Sequence, residues 1–164
     1  MKPESQSQAR RLSYVALGSN YGDSRQNVLR AMEQIQGLSN KPLLKSSLLV
    51  TAPVDCPPDS PDFVNAVVGL VPHDNESPET LHAKLQATEK QFGRQPKKVM
   101  NEPRPLDLDL IAFGQEIRNT PQLTLPHPRA HLRKFVLQPL AEIAPDLVLP
   151  GQTKTVAQLL AGLR

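Results

Sequence analysis

Residues 12–18, with the sequence LSYVALG, form an apolar run that ends in the turn sequence GSN. An apolar run of this length, bounded by a turn signal, predicts a buried strand. A helix is predicted next, at residues 24–36, because Val28, Met32 and Ile35 recur at helical spacing and share one face. The fold therefore starts with a strand followed by a helix.

The rest of the chain continues this alternation. A second helix is predicted to begin at Ser77, which is followed by Pro78 and Glu79 as at many helix N-termini, and to end at Gly93. Three more strands are predicted, at residues 43–51, 63–71 and 105–113. Two short helices are predicted after them, at residues 132–143 and 153–163. The order β-α-β-β-α-β with a helical C-terminal extension predicts an α+β fold of the ferredoxin-like, split βαβ type. We expect an antiparallel sheet with helices on one face and the C-terminal segment on part of the other.

The composition is that of one globular domain without a membrane span. Of 164 residues, 38% are hydrophobic, and no stretch approaches the roughly 20 apolar residues that cross a bilayer. Residues 1–11 are polar, and we expect a disordered tail there, before a single domain at residues 12–164. Cys56 is the only cysteine, which excludes an intrachain disulfide and favours a reducing cytoplasm. Aromatic residues make up only 4%, which argues against a stacking platform for single-stranded nucleic acid.

The net charge of +3 comes from one loop, which we call the basic loop. Its cations are Arg94, Lys97, Lys98 and Arg104, opposed by Glu102, while the rest of the chain holds 15 basic and 15 acidic residues. A neutral protein with one basic loop favours a small anionic ligand over a long polyanion. A solubilising surface loop is the alternative interpretation.

The sequence LDLDL at residues 106–110 directly follows this loop. In a strand, Asp107 and Asp109 would share one face with Cα atoms roughly 6–7 Å apart. Two like charges side by side repel, and a divalent cation such as Mg²⁺ would offset that cost. Carboxylates that hold a metal beside arginines that hold phosphate are the parts that phosphoryl transfer needs. An incidental pair of acids on a solvated strand face remains the alternative, and no P-loop or GxGxxG motif is present.

Asn65 stands in an otherwise apolar strand, on the same face as Phe63. Its carboxamide can donate to and accept from a heterocycle that carries amino and oxo groups. Together with Thr51, Pro53 and Val54, Phe63 and Asn65 could line a flat apolar slot in which the Asn65 amide is the one polar group that recognises the ligand. The alternative is that Asn65 satisfies a loop backbone.

Two further groups of polar residues are candidates for nucleotide contacts. Gln86 and Glu89 are three residues apart on the second helix, close to the basic loop, although an ordinary polar helix face has the same spacing. His127 and Arg133 follow the acidic strand and could meet a phosphate tail or a base, although a lone histidine is more often structural.

Five segments then carry a resemblance to a known family. They are VALGSN at residues 15–20, FVNA at 63–66, PRPLDLDL at 103–110, LPHPR at 125–129 and EIAP at 142–145. In this order and with similar gaps, they resemble the 6-hydroxymethyl-7,8-dihydropterin pyrophosphokinase family of folate biosynthesis. The similarity covers residues 14–160.

The resemblance implies transfer of the β,γ-diphosphate of ATP to the hydroxymethyl group of a reduced pterin, with release of AMP. By position, it implies that Asp107 and Asp109 hold two Mg²⁺ ions and that Arg94 and Arg104 stabilise the moving phosphates. The nucleotide-side positions that it implies are Gln86, Glu89, Lys97, Leu110, Thr124, His127 and Arg133. The pterin-side positions that it implies are Gly18, Thr51, Pro53, Val54, Phe63, Asn65 and Phe135, with the rings of Phe63 and Phe135 on either side of the pterin.

We expect a cytoplasmic monomer that binds these two small molecules and neither nucleic acid nor membrane. Two alternatives stay open. RNA-binding domains share the predicted topology, although the acidic pair and the scarcity of aromatic residues argue against that function. The family commonly has an aromatic residue and a glycine where this chain has Asn101 and Glu102, which leaves open a relative that binds pterin or nucleotide without turnover.

Overall fold

An antiparallel sheet forms the centre of the protein. The computed structural model describes residues 11–52, 61–93 and 105–163. The sheet strands are β1 Ser13–Ser19, β2 Leu44–Lys45, β3 Leu49–Thr51, β4 Phe63–Leu70 and β5 Asp107–Phe113. Their order is β2-β4-β1-β5, with β3 also paired to β4, so β5 lies at one edge and the short strands β2 and β3 lie at the other.

Helices cover both faces of this sheet. They are α1 Ser24–Gln36, α2 Pro78–Gln91, α3 Lys134–Ile143 and α4 Val156–Gly162, with a 3-10 turn at Ala130–Leu132 before α3. Side chains of Asp23, Ser77 and Thr155 cap the N-termini of α1, α2 and α4. Within the described ranges, every helix is too short or too polar to cross a bilayer.

The apolar core is divided into two layers by the sheet. One layer packs α1 and α2 through residues such as Ile35 and Leu81 against Val15 of β1. The other packs α3 and α4 through Leu137 and Val156 against the opposite face of the sheet. This arrangement confirms the predicted α+β, ferredoxin-like fold and the C-terminal cover on the second face.

The predicted strand at residues 43–51 is wrong, because the structure breaks it into β2 and β3. At the break, the N–H of Ser46 donates to the carbonyl of Val67 (3.0 Å), but the N–H of Val67 donates to the Ser46 hydroxyl (2.9 Å) instead of a backbone carbonyl. A serine side chain has replaced one step of the ladder. The C-terminal helices are also shorter than predicted, and a small hairpin, β6 Arg118–Asn119 with β7 Thr124–Leu125, was not predicted.

Strand β5 contains a bulge opposite the start of β1. Tyr14 of β1 pairs with Ala112, but the next residue, Val15, pairs with Leu110. Ile111 is therefore an extra residue in β5, and both Ile111 and Ala112 pack into the layer under α3 and α4.

A buried carboxylate stabilises the end of the molecule where α2 begins. Glu76 is 6% exposed, accepts a hydrogen bond from Thr80 and forms an ion pair with Lys84 (2.9 Å). Arg11, the last residue of the predicted tail, donates to the carbonyl oxygens of His73 (2.7 Å) and Glu76. Burial would raise the pKa of Glu76, but the hydrogen bonds from Thr80 and Lys84 outweigh it and hold the pKa below its ordinary value.

Replacing Glu76 with glutamine is expected to lower the free energy of unfolding at pH 7 by about 1 kcal/mol. A carboxyl whose pKa is lowered by folding stabilises the protein above its unfolded-state pKa, and this contribution is lost as the pH falls through the folded-state pKa. The difference between wild type and Glu76→Gln should therefore shrink below about pH 4.5. Urea unfolding at neutral and acid pH checks this, with Glu33→Gln on the exposed side of α1 as control. A difference that is unchanged in acid would contradict it.

Candidate active site

The acidic pair lies where the sequence predicts, on one face of edge strand β5. Asp107 is opposite Gly18 and Asp109 is opposite Ala16 in the register with β1. Asp109 is exposed and Asp107 is partly exposed. The leucines that alternate with them are buried in the layer under α1 and α2, and they are Leu106, Leu108 and Leu110. The burial of these leucines holds the two carboxylates on the opposite face.

The donor set of this pair fits Mg²⁺. Across the described ranges, no group of three or more His, Cys, Asp or Glu side chains is arranged to hold a metal ion. Two accessible carboxylates on one strand face offer hard oxygen ligands without a closed protein cage. Mg²⁺ commonly binds to one or two carboxylates and completes its shell with water and phosphate oxygens.

Gly18 separates the acidic pair from the predicted pterin residues. On the other side of Gly18, the register of β1 with β4 places Asn65 directly opposite it. A Cβ atom at position 18 would lie 3.4 Å from Oδ1 of Asn65 and 4.0 Å from Cδ1 of Phe63. A side chain at this position would therefore be in van der Waals contact with the Asn65 amide and the Phe63 ring, and glycine leaves that room unfilled next to Asp107.

Asn65 is held by the edge strand β3. Its Nδ2 donates to the hydroxyl of Thr51 (2.8 Å) and, at 3.5 Å, to the carbonyl of Leu49. Thr51 pairs with Phe63 in the register of β3 with β4. Three predicted pterin-side residues are thus joined, and Asn65, which is 7% exposed, has a fixed amide orientation.

Phe135 lies in the first turn of α3 and is 40% exposed. The guanidinium of Arg133 lies 5.5 Å from the centre of its ring, a cation–π contact. Helix α3 packs on the face of the sheet that carries Asn65 and the acids. An exposed aromatic ring in this position can receive a flat ligand, which is the role that the resemblance implies for Phe135.

A cavity of about 230 Å³ lies beside the acidic pair, at the β5 edge of the sheet. Four residues predicted as metal or nucleotide ligands line it, and they are Asp109, Leu110, Thr124 and His127. Five residues without a predicted role complete the lining, and they are His82, Pro121, Gln122, Leu123 and Pro128. His82 lies on the same helical face as Gln86 and Glu89, four and seven residues before them. This spacing could have indicated from the sequence that His82 belongs to the site. Gln86 itself is exposed and does not line the cavity.

The small hairpin β6–β7 supplies one wall of this cavity. Thr124 belongs to β7, and Arg118 of β6 forms an ion pair with Glu79 in the first turn of α2, with Nε 2.6 Å from Oε2. This contact anchors the hairpin to the helix that carries His82. The cavity is therefore framed by α2, β5 and the hairpin.

The surroundings of His127 favour the neutral form of its ring by lowering its pKa. Burial lowers its pKa, and the charges of Arg133 and Arg129 lower it further, while the charge of Asp109 opposes them. The ring Nδ1 accepts the backbone N–H of Arg129 (3.2 Å), and the backbone N–H of His127 donates to the carbonyl of Ile111 (2.9 Å). The proton of the neutral ring therefore lies on Nε2, which makes that nitrogen a hydrogen-bond donor.

Glu89 is buried against β5, although spacing alone placed it on a polar helix face. Its carboxylate accepts the backbone N–H of Leu108 at 2.7 Å. Leu108 stands between Asp107 and Asp109, and its N–H is directed away from β1 at the edge of the sheet. Glu89 thus covers the free edge of β5 at the acidic pair.

The described residues bring together the acidic pair, the slot at Gly18 and the cavity at the β5 edge. Five predicted site residues lie outside the described ranges, and they are Pro53, Val54, Arg94, Lys97 and Arg104.

Comparison with known proteins decides the family. The model of the 7,8-dihydro-6-hydroxymethylpterin-pyrophosphokinase family matches residues 14–145, most of the chain. This chain belongs to that family. The pyrophosphokinase match includes the acidic pair, Asn65, the cavity residues and all five segments that carry the resemblance, and it confirms the resemblance seen in the sequence.

Two proteins named 2-amino-4-hydroxy-6-hydroxymethyldihydropteridine pyrophosphokinase are similar to this chain over more than four fifths of their lengths. The protein of Pseudomonas aeruginosa is 40% identical over 137 residues, which are 84% of this chain and 83% of that protein. The protein of Haemophilus influenzae is 41% identical over 139 residues, or 85% of each.

Solved structures show the same fold. The crystal structure of wild-type Plasmodium falciparum HPPK-DHPS with pteroate has a TM-score of 0.69 and 11% sequence identity. The alignment covers 92% of this chain but only 44% of that longer one, so this chain spans less than half of its length. A triple mutant of the same protein aligns with the same TM-score.

Proposed function

We propose that this chain transfers a diphosphate from ATP to the hydroxymethyl group of 6-hydroxymethyl-7,8-dihydropterin and releases AMP, in a reaction that depends on Mg²⁺. Family membership supports the reaction class. The observation that carries the proposal is the position of the acidic pair. One side of the pair adjoins the slot at Gly18 and Asn65, and the other adjoins the cavity of Leu110, Thr124 and His127.

In this proposal the two substrates meet over β5. The pterin occupies the slot, where the Asn65 amide forms hydrogen bonds to the edge of the heterocycle. The rings of Phe63 and Phe135 lie on its two faces. The nucleotide occupies the cavity, where the neutral His127 donates from Nε2 and Thr124 offers a hydroxyl. This arrangement directs the phosphates of the nucleotide across Asp109 and Asp107 towards the pterin hydroxyl.

The reaction is a displacement at the β-phosphorus of ATP. The hydroxymethyl oxygen forms a bond to the β-phosphorus and loses its proton to solvent, while the bond from the β-phosphorus to the oxygen shared with the α-phosphorus breaks, and AMP leaves with that oxygen. Two Mg²⁺ ions, when bound, would neutralise phosphate charge and favour loss of the alcohol proton. Asp107 and Asp109 would hold them, while Asn65 and Gly18 set the distance of approach.

Charge on the transferring diphosphate is also stabilised from the basic loop. We assign this to Arg94 and Arg104, with Lys97 as a further cation. Gln86 and Arg133 are assigned to the nucleotide side, and Pro53 and Val54 to the pterin side. These assignments are supported by the resemblance of the surrounding motifs.

We extend the proposal to the state of the protein: a single domain at residues 12–164 that acts as a monomer in the cytoplasm, with ATP and the pterin as its partners. The single cysteine supports a reducing compartment. Light scattering during gel filtration tests the monomer, which should elute at the 18.1 kDa of the chain.

Release of AMP from ATP is the direct test of the function. AMP should form only when the reduced pterin and Mg²⁺ are both present, in amounts equal to the diphosphorylated pterin. Pterin-independent formation of ADP or AMP would contradict the proposal. Calorimetric binding of both substrates without AMP would instead identify a relative that has lost turnover, and binding of RNA at low salt in place of both substrates would identify an RNA-binding module.

A further inference from the structure

We infer that Glu142 is a positioning residue for the pterin side of the site, although it lies outside that site. It acts by tying helix α3 to the break between β2 and β3. The inference rests on the proposed function, because the ligand that it affects is the pterin. It arises from the EIAP segment at residues 142–145, which the proposed reaction leaves without a role.

The contact between Glu142 and Ser47 uses both oxygens of the carboxylate. The Ser47 hydroxyl lies 2.9 Å from each oxygen, so its proton can be donated to either. The backbone N–H of Ser47 also faces the carboxylate, at 3.3 and 3.2 Å. Glu142 is in the last turn of α3, 95 residues further along the chain, so the contact joins two distant elements.

Two neighbouring serines at this break bond to different elements. Ser46 stays attached to the central strand, since its N–H and hydroxyl bond to the carbonyl and N–H of Val67. Ser47 donates away from the sheet, to α3. Among the described residues, Glu142 alone accepts the backbone N–H of Ser47, so without it this edge would be held there by the sheet.

The contact between Ser47 and Glu142, which we call the tether, joins the two chain segments that form the walls of the slot. Thr51, which holds the amide of Asn65, lies four residues after Ser47, or roughly 13 Å along an extended chain. Phe135 lies seven residues before Glu142, or roughly 10 Å along the helix. Glu142 therefore fixes the wall that carries Thr51 relative to the wall that carries Phe135, without reaching the ligand.

The nucleotide cavity lies at the other edge of the sheet, and no residue of the tether lines it. Ser47 and Glu142 are both exposed, and exposed charge-assisted contacts stabilise a fold weakly. Loss of the tether should therefore change pterin recognition more than folding or ATP recognition.

Glu142→Ala is expected to raise the KM for 6-hydroxymethyl-7,8-dihydropterin about fivefold, as expected for a charge-assisted hydrogen bond weakened by solvent. The KM for ATP and the melting temperature should stay close to wild type. Glu142→Gln should recover part of the effect, because its amide oxygen still accepts one hydrogen bond from Ser47. Glu33→Ala is the matched control, since Glu33 is an exposed helical glutamate with no hydrogen bond or ion pair to the described residues.

Ser47→Ala and the double variant Ser47→Ala/Glu142→Ala complete the experiment. If the two residues act as a unit, the double variant should be no worse than Glu142→Ala. An unchanged KM for the pterin in Glu142→Ala, an equal rise in the KM for ATP, or fully additive effects would each overturn the inference. If Glu142→Ala does not fold, Ser47→Ala and Glu142→Gln give the same comparison.

Failure of the proposed function would be visible separately, as absence of AMP formation by the wild type. In that case, calorimetric titration of the pterin into wild type and variants in the presence of a non-hydrolysable ATP analogue measures the same affinity change. A wild type that turns over normally, with variants that match it, refutes only the role of Glu142.

Discussion

Replacing either Asp107 or Asp109 with alanine is expected to lower the rate of AMP formation by about 10³-fold or more, since each metal ligand supports several kcal/mol of charge stabilisation in the transition state. Both side chains lie on one face of β5, and each variant leaves one carboxylate. A single remaining carboxylate holds Mg²⁺ less tightly, so excess Mg²⁺ should restore only part of the rate. Steady-state assays over a range of Mg²⁺ concentrations check this.

Folding should survive these two changes. Neither aspartate is buried, and alanine relieves the repulsion between the two charges. Circular dichroism and thermal melting should therefore match the wild type, and Asp146→Ala, an exposed aspartate after α3, serves as the control. Turnover near the wild-type rate in either variant would remove the basis of the proposed mechanism.

Glu89→Ala is expected to lower kcat by about 100-fold, because a displacement of the reacting groups by about 1 Å costs that much. The variant leaves the buried N–H of Leu108 without its carboxylate acceptor, between the two acidic residues. It should also lower the free energy of unfolding by about 1–3 kcal/mol. The Mg²⁺ concentration for half-maximal rate should rise, because β5 no longer holds the two carboxylates in place.

Glu89→Gln separates this role from direct contact with the nucleotide. Its amide oxygen can still accept the N–H of Leu108, so most of the stability and the Mg²⁺ response should return. Urea unfolding and Mg²⁺ titrations of both variants provide the measurement. A Glu89→Ala protein of normal stability, changed only in its KM for ATP, would show that Glu89 contacts the nucleotide and does not position β5.

Regular elements with strong periodicity were predictable from the sequence. Helix α1 has the predicted bounds, and α2 begins at its Ser77 cap and ends next to Gly93, whose φ of +92° suits only glycine well. The alternation of LDLDL also predicted the shared face of the two acids, because buried leucines leave the aspartates no other side.

What could not be predicted depends on contacts between distant residues. The run at residues 43–51 reads as one strand, and only its neighbours show that Ser46 and Ser47 divide it. The spacing of Glu89 is that of any polar helix face, and its burial is decided by the edge of β5. The strands of the hairpin β6–β7 have two residues each, which is too short to show an alternating pattern in the sequence.

The extra residue Ile111 in β5 decides on which side of the sheet the chemistry occurs. If Ile111 paired with Val15 in a regular ladder, Leu110 would lie opposite Ala16 and Asp109 opposite Leu17. The two charges would then point into the apolar layer under α1 and α2, and the leucines would face the substrates. Loss of the Ile111 codon would leave Asp109 opposite Ala16, whereas one more residue paired in the ladder between Asp109 and Ala112 would turn both carboxylates to the apolar side, so this stretch of the gene should tolerate a deletion better than an insertion.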